Sequence, residues 1–261
     1  MNTRRVWAFI FVCLLLVPCI GLCQKREAQE RDIDRFTFTL GLKSLFLVDT
    51  EINYPGVGDV YYEGSLFGPV LGVQIANTDM FWDNFEFVLS TYFGKLNAYD
   101  SAGENGDLNA NFNKFTLKLT DVRADACYRI IPHCSAFVAF HYRRFRFGST
   151  EQDLSKIRAF VTTDEEMYGG GLGVKGSLPL GQSGVFVYGS GEVMPYAKFL
   201  IDSSEAWGLM LKGGLGYTIE GGEWLPVALT TTVGYHYQKL DSNGYFDEQT
   251  DAASADVVVS W

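Results

Sequence analysis

The sequence predicts an all-β fold, a transmembrane antiparallel up-and-down β-barrel of about ten strands, from three observations. The first is a series of segments in which apolar and polar residues alternate, which is the period of a β-strand. The second is a content of 15% aromatic residues and 28 glycines, with no apolar run after residue 23 long enough for a transmembrane helix. The third is an alternation of short and long connecting segments, which is typical of a barrel with turns on one side of a membrane and loops on the other.

The first 34 residues are predicted to precede the barrel. Residues 1–23 combine two arginines, an apolar run and small residues before Gln24, which is the pattern of a signal peptide for Sec-dependent export. The apolar run is short for a membrane span, which needs ~20 residues, so an uncleaved anchor is the alternative. Residues 24–34 are charged and are expected to form a periplasmic tail, and residues 35–261 to form the barrel.

The first five predicted strands each carry apolar residues at alternate positions. They cover residues 35–48, 65–77, 84–96, 113–128 and 134–147, with lipid-facing positions that begin at Phe36, Phe67, Phe85, Phe115 and Ala136. In the fourth strand the apolar residues change parity between Thr120 and Val122. A β-bulge at that point would explain the change. Before it, Lys118 alternates with Leu117 and Leu119 and is therefore expected to face the lumen.

The last five predicted strands cover residues 166–180, 184–197, 206–219, 226–239 and 252–261. The first of them is rich in glycine and sets Leu172 and Val174 opposite Lys175. The next directs Glu192 inward, and the two after it direct Lys212 and His236 inward.

Connecting segments predict which end of each strand faces which side of the membrane. Short segments follow the even-numbered strands, at residues 77–84, 129–134, 181–184 and 220–225. Longer polar segments follow the odd-numbered strands, at residues 49–64, 97–112, 148–165, 198–205 and 240–251. Ten strands would leave both termini on the periplasmic side. Eight strands is the alternative.

The final strand ends on an aromatic residue, with Ala253, Ala255, Val257, Val259 and Trp261 on one face. This strand resembles the closing strand of bacterial outer-membrane β-barrels, and the strand rhythm and loop alternation extend the resemblance over residues 35–261. The resemblance implies a place in the outer membrane of a Gram-negative envelope, in contact with lipid and lipopolysaccharide. It also implies insertion by the barrel-assembly machinery, for which Val257, Val259 and Trp261 would be the signal. It indicates no subfamily.

Charged residues at inward positions predict a network in the lumen. Its candidate members are Lys43, Glu86, Lys118, Arg143, Lys175, Glu192, Lys212 and His236. A ten-stranded barrel is only slightly wider than one that side chains fill completely, so opposite charges inside it should pair. The network is either a structural plug or the lining of a narrow, porin-like channel for small solutes or ions.

Two cysteines remain after the predicted signal peptide, Cys127 and Cys134. They bracket a predicted turn, and in an oxidising periplasm they could form a disulfide. Two free thiols are the alternative. A zinc site with His133 is disfavoured because the spacing matches no zinc motif. The sequence predicts no cofactor, and it contains no recognised metal-binding motif.

Three classes of function are compatible with these features. A non-enzymatic barrel, acting as a narrow channel or as a structural or surface-interaction protein, is the first. An outer-membrane hydrolase, a protease or a lipid-modifying enzyme, is the second, with His236 and Asp241 as its candidate pair at the outer rim. An exported soluble β-sandwich is the third. Acidic loops could also bind Ca²⁺ or Mg²⁺. The net charge of −10 and the lack of a basic patch exclude nucleic acid as a partner.

Overall fold

The computed structural model describes residues 35–54, 58–76, 84–102, 115–149, 164–200, 204–220, 227–242 and 247–261. The predicted signal peptide and the predicted tail lie outside these ranges. The described residues form ten strands: β1 (Arg35–Tyr54), β2 (Gly58–Ala76), β3 (Phe85–Ala102), β4 (Phe115–Ile131), β5 (Cys134–Ser149), β6 (Glu165–Pro179), β7 (Val185–Phe199), β8 (Glu205–Glu220), β9 (Ala228–Asp241) and β10 (Asp247–Ser260).

The ten strands form one closed antiparallel barrel in which each strand pairs with its neighbours in sequence and β1 pairs with β10. The predicted up-and-down barrel is therefore confirmed, with ten strands rather than eight. The sandwich alternative is wrong, because a single sheet closes on itself. No helix in the described ranges is long and apolar enough to cross a membrane.

The barrel has two ends, which we call the loop end and the turn end. The loop end carries the connections that follow odd-numbered strands, and the turn end carries the connections that follow even-numbered strands together with Arg35 and Trp261. Strands reach further toward the loop end than the sequence suggested. Much of the predicted loops 49–64 and 240–251 is strand, and only residues 55–57 separate β1 from β2.

This extension has a simple cause in β1 and β2. Buried Ile52, Val60 and Tyr62 alternate with the more exposed Glu51 and Tyr61, so the segment has strand periodicity with a polar outer face. Polar residues on that face resemble a loop in the sequence. Because β1 has 20 residues and a membrane crossing needs about 9–11, the barrel projects well beyond a bilayer at the loop end.

An apolar belt surrounds the outside of the barrel. Its members include Phe36, Phe38, Leu40, Leu42, Phe67, Leu71, Phe87, Leu89, Phe93, Val138, Phe140, Leu172, Leu215, Ile219, Val233 and Val257, all of them exposed. A water-soluble protein rarely exposes a continuous apolar surface of this extent. The belt fits the lipid-facing band of a membrane barrel, as the strand periodicity predicted.

The predicted bulge in β4 is wrong. The pairing of β4 with β3 runs without a shift from Tyr128 to Thr116. Leu117 and Leu119 are buried inside the barrel, on the same face as Asp121 and Arg123, whereas Lys118 is exposed on the outer face. The residues on the inner face change from apolar to charged along the strand. In the sequence this looks as if the apolar residues had moved to the other face.

A register shift does occur in β1, between Phe46 and Asp49. Leu47 lies there with a φ of 49°, in the left-handed region that a branched side chain rarely adopts, and it is 82% exposed. The shift restores the inward orientation of Val48 and Ile52 after Leu45.

The end of the chain closes the barrel. Trp261 exchanges two backbone hydrogen bonds with Phe38, at 2.9 and 3.0 Å, and the two rings lie 6.3 Å apart. Val257 and Trp261 are about half exposed on the outer face. A role for them in barrel assembly stays a prediction.

Candidate functional site

The lumen of the barrel contains an apolar layer near the loop end. All ten strands contribute to it. Its members are Leu45, Val48, Ile52, Val60, Tyr62, Leu66, Leu96, Ala98, Leu117, Leu119, Phe145, Met167, Met194, Ala197, Phe199, Ala206, Met210, Leu240 and Ala252. We call this group the seal. Every strand supplies at least one buried side chain, so the seal extends around the whole interior of the barrel at this level.

Polar side chains within the seal are bonded to one another or to the layer beside it. The hydroxyl groups of Thr50 and Thr250 lie 2.9 Å apart, and Thr250 donates to Glu248 at 2.8 Å. Glu248 in turn accepts a hydrogen bond from Arg143. These bonds allow polar groups to lie inside an apolar layer at little cost.

Arg143 joins the seal to a charged layer nearer the turn end. Its side chain is 2% exposed, and its guanidinium lies 2.6 Å from Glu248 and 2.9 Å from Asp121. The same guanidinium lies over the ring of Phe145 at 5.1 Å. Arg143 therefore contacts two carboxylates and one aromatic ring of the lumen, in a setting where its charge is compensated.

Arg123 organises a second group of charges. It lies 2.6 Å from Asp125 and 3.0 Å from Glu192, over the ring of Phe137. His141, which is fully buried, has its Nε2 2.6 Å from Glu192. Glu192 is thus held by one arginine and one histidine from two other strands.

Lys212 forms the third group. Its ammonium lies 2.6 Å from Asp256 and 5.8 Å from the centre of the Tyr188 ring. Lys43 lies opposite Asp256 in the pairing of β1 with β10, but it makes no ion pair within the described residues. Lys43, His236 and Gln238 line a cavity of about 70 Å³ among these charges. A polar cavity of that size can hold several water molecules.

Nearer the turn end, Lys175 donates to Glu86 at 2.5 Å. Seven of the eight predicted network members, Lys43, Glu86, Arg143, Lys175, Glu192, Lys212 and His236, thus lie in the lumen. Lys118 does not, because it follows Leu117 on the opposite face of β4.

The sequence analysis did not identify the carboxylates Asp121, Asp125 and Glu248 as network members. The sequence contained the signal for the first two, because Asp121 and Asp125 are each two positions from Arg123, and residues at every second position of a strand share a face. Glu248 was placed in a predicted loop that is strand in the structure.

The structure shows no disulfide between Cys127 and Cys134, in agreement with the alternative of two thiols. Cys127 is buried inside the barrel, whereas Cys134 follows the outward parity of Val138 and Phe140 in β5, and the two are not bonded. A wall of backbone separates side chains that point to opposite faces of a sheet, so their sulfur atoms cannot meet.

We therefore expect two titratable thiols in a purified barrel of residues 24–261 after denaturation without reductant. A maleimide mass shift counted by intact mass spectrometry checks this result. A Cys127→Ser variant should show one maleimide adduct. If the non-reduced wild-type protein formed no adduct, the two cysteines would be bonded and the arrangement seen in the structure would be contradicted.

The structure does not bring His236 and Asp241 together. They are five positions apart along β9, which places them on opposite faces and about 16 Å apart along the strand. His236 lines the lumenal cavity, whereas Asp241 lies 3.4 Å from Lys239. The described residues also contain no group of three or more histidines, cysteines and carboxylates that could hold a metal ion.

Comparisons with known proteins agree with the architecture. No protein-family model and no curated protein matches the sequence. Among solved structures, the outer-membrane protease OmpT from Escherichia coli aligns with a TM-score of 0.50 and 6% identity, over 91% of this chain and 99% of that one. The translocator domain of the autotransporter NalP from Neisseria meningitidis aligns with a TM-score of 0.39 and 13% identity, over 99% and 97%.

Neisserial surface protein A aligns with a TM-score of 0.36 and 12% identity, over 85% of this chain and 95% of that one. At 6% identity the likeness to OmpT concerns the fold and not the activity. Closure of the sheet, the strand order and the outer apolar belt all agree with it. The chain has the fold of the bacterial outer-membrane β-barrels, with ten strands.

Proposed function

We propose that this protein is a non-enzymatic outer-membrane barrel with a closed lumen, acting as a structural or surface-interaction protein rather than as a channel. The observation that carries the proposal is the seal, to which all ten strands contribute buried side chains. The outer apolar belt supports its place in a bilayer. In this orientation the loop end faces the cell exterior.

A closed lumen follows from the size and burial of the side chains. Phe145, Phe199, Leu96 and Leu240 are 0% exposed, which leaves no water-accessible surface on them from either end. A hydrated ion that crossed this layer would lose its hydration shell without gaining polar ligands, and that desolvation is expensive.

The charged layer supports the same proposal. Its cations are mostly held by carboxylates at 2.6–3.0 Å, as for Arg143, Arg123 and Lys212. Side chains paired in this way hold the strands at fixed distances across the lumen. An open conducting pore would instead keep its charged groups available to solvent.

The wild-type protein is therefore expected to be silent in planar-bilayer recordings. Folded barrels, recognised by faster migration on a gel before boiling, would be reconstituted in molar KCl and scanned over both voltage polarities. Boiled protein is the negative control. Reproducible ohmic steps from the folded sample, absent from the boiled one, would contradict the closed lumen.

A surface-interaction role would use the part of the barrel that projects beyond the membrane at the loop end. β1, β2 and β3 are the longest strands, at 20, 19 and 18 residues, and their loop-end halves have polar outer faces. This projecting wall is a rigid surface that partners outside the cell could contact.

A further inference from the structure

Three cations lie side by side on the outer wall, toward the loop end. The pairing of β3 with β4 sets Lys95 opposite Lys118, and the pairing of β4 with β5 sets Lys118 opposite Arg146. All three are exposed, and each adjoins a buried apolar residue on its own strand, so all three project from the outer face. We call them the basic row.

The basic row is unfavourable for the barrel by itself. Adjacent strands lie about 4.8 Å apart, so the row spans about 10 Å. Like charges directly opposite on neighbouring strands are destabilising. Arg146 lies 3.1 Å from Asp164, but Lys95 and Lys118 have no ion pair with any described residue.

The row lies at the edge of the apolar belt. On β3, Lys95 follows two positions after Phe93, whose ring packs against Phe67 at 4.8 Å and is exposed. On β5, Arg144 and Arg146 follow the exposed Phe140 on the same face. The cations therefore begin where the lipid-facing surface ends, at the level of the headgroups of the outer leaflet.

Carboxylates occupy a different part of the same wall. Asp49 lies opposite Asp251 on β10 and opposite Glu63 on β2. Positive charge is thus concentrated on β3–β5 and negative charge on β10–β2. Alternating positive and negative residues around the wall would be more stable than like charges grouped together. The grouping of the positive residues on β3–β5 therefore favours an anionic ligand that binds to that side of the barrel.

We propose that the basic row binds the phosphate groups of a lipopolysaccharide headgroup in the outer leaflet. Lysine and arginine bind phosphate through charge-assisted hydrogen bonds. A disaccharide headgroup that carries two phosphates suits a row of three cations better than the single phosphodiester of a phospholipid. The proposal rests on the place of the barrel in an outer membrane and does not depend on whether the lumen is closed.

The test compares thermal unfolding of the folded barrel in neutral detergent with and without purified lipopolysaccharide. In the wild type, lipopolysaccharide is expected to raise the unfolding midpoint. In the double variant Lys95→Gln/Lys118→Gln, the midpoint in detergent alone should rise slightly, because the repulsion is relieved, and the lipopolysaccharide-dependent rise should disappear. Apparent affinity by titration should fall about tenfold or more.

The matched control is Lys198→Gln/Lys239→Gln. It removes the same charge from the outer face toward the loop end, but on β7 and β9, which are not adjacent and carry no row of cations. This control should retain the lipopolysaccharide-dependent rise in the unfolding midpoint. The proposal would be overturned if the basic-row variant showed the same rise as the wild type, or if both double variants lost the rise equally.

Two further ligands test which chemical groups the basic row recognises. Dephosphorylated lipopolysaccharide should give no rise with the wild type, because its phosphates are the groups recognised. Phosphatidylglycerol should raise the unfolding midpoint only slightly. If it raised the midpoint as much as lipopolysaccharide does, the assignment of the ligand to lipopolysaccharide would be overturned. A bilayer conductance would contradict the closed lumen without affecting these outcomes, so the two proposals fail separately.

Discussion

Replacing Arg143 with alanine is expected to lower the free energy of unfolding by about 3–5 kcal/mol. The guanidinium compensates Asp121 and Glu248, and the Glu248 side chain is fully buried. Its removal would leave two carboxylates in the lumen, beside the seal, without their cation. Deleting one partner of a buried ion pair costs more than the pair itself contributes, because the remaining charge stays desolvated.

The measurement is reversible urea unfolding of the barrel in lipid vesicles, followed by tryptophan fluorescence. Arg144→Ala is the matched control, since this arginine lies next in sequence on the outer face. Its side chain is 32% exposed and pairs with Asp164 and Glu166. Ion pairs at the surface contribute little because solvent screens them, so Arg144→Ala should cost much less than Arg143→Ala. Equal losses in the two variants would contradict the role assigned to Arg143.

A charge-free combination separates charge from packing. In Arg143→Met with Asp121→Asn and Glu248→Gln, neither carboxylate is left charged without its arginine, and most of the lost stability should return. A triple variant as unstable as Arg143→Ala would mean that shape rather than charge compensation dominates at this position.

The outer face was predictable from the sequence, and the inner face only in part. Residues such as Phe36, Val138 and Val233 must be apolar because they face lipid, so a period of two is visible in most strands, although not in β4. Lumenal residues have no such uniform requirement. Where the lumen is apolar, as at Leu117 and Leu119, both faces of a strand can be apolar, and the assumption that charges point inward misplaced Lys118.

The contacts between distant strands could not be predicted at all. Arg143 and Glu248 are 105 residues apart, and His141 and Glu192 are 51 apart. Their meeting depends on the register of each strand and on closure of the barrel between β1 and β10. A single sequence gives the parity of a strand but not its register relative to its neighbours. The seal and the basic row both arise from register, so both emerged only with the structure.

Replacing Phe145 with alanine is expected to lower the free energy of unfolding by about 3–5 kcal/mol, as for large cavities in protein cores. Phe145 is 0% exposed within the seal and supports the guanidinium of Arg143. The rigid barrel wall limits how far the surroundings can relax into the space that the ring leaves. The loss should therefore combine the transfer free energy of the ring with a cavity term.

Phe140→Ala is the comparison that isolates the cavity term. Phe140 lies on the same strand, faces lipid and is 53% exposed. Lipid chains are fluid and fill the space left by its ring, so only the transfer term of about 1.5–3 kcal/mol should be lost. Urea unfolding of both variants in the same vesicles measures the difference, which should be at least about 1 kcal/mol. If Phe140→Ala is as destabilising as Phe145→Ala, the lumen near the loop end is no more tightly packed than the lipid outside, and a seal of close-packed side chains is ruled out.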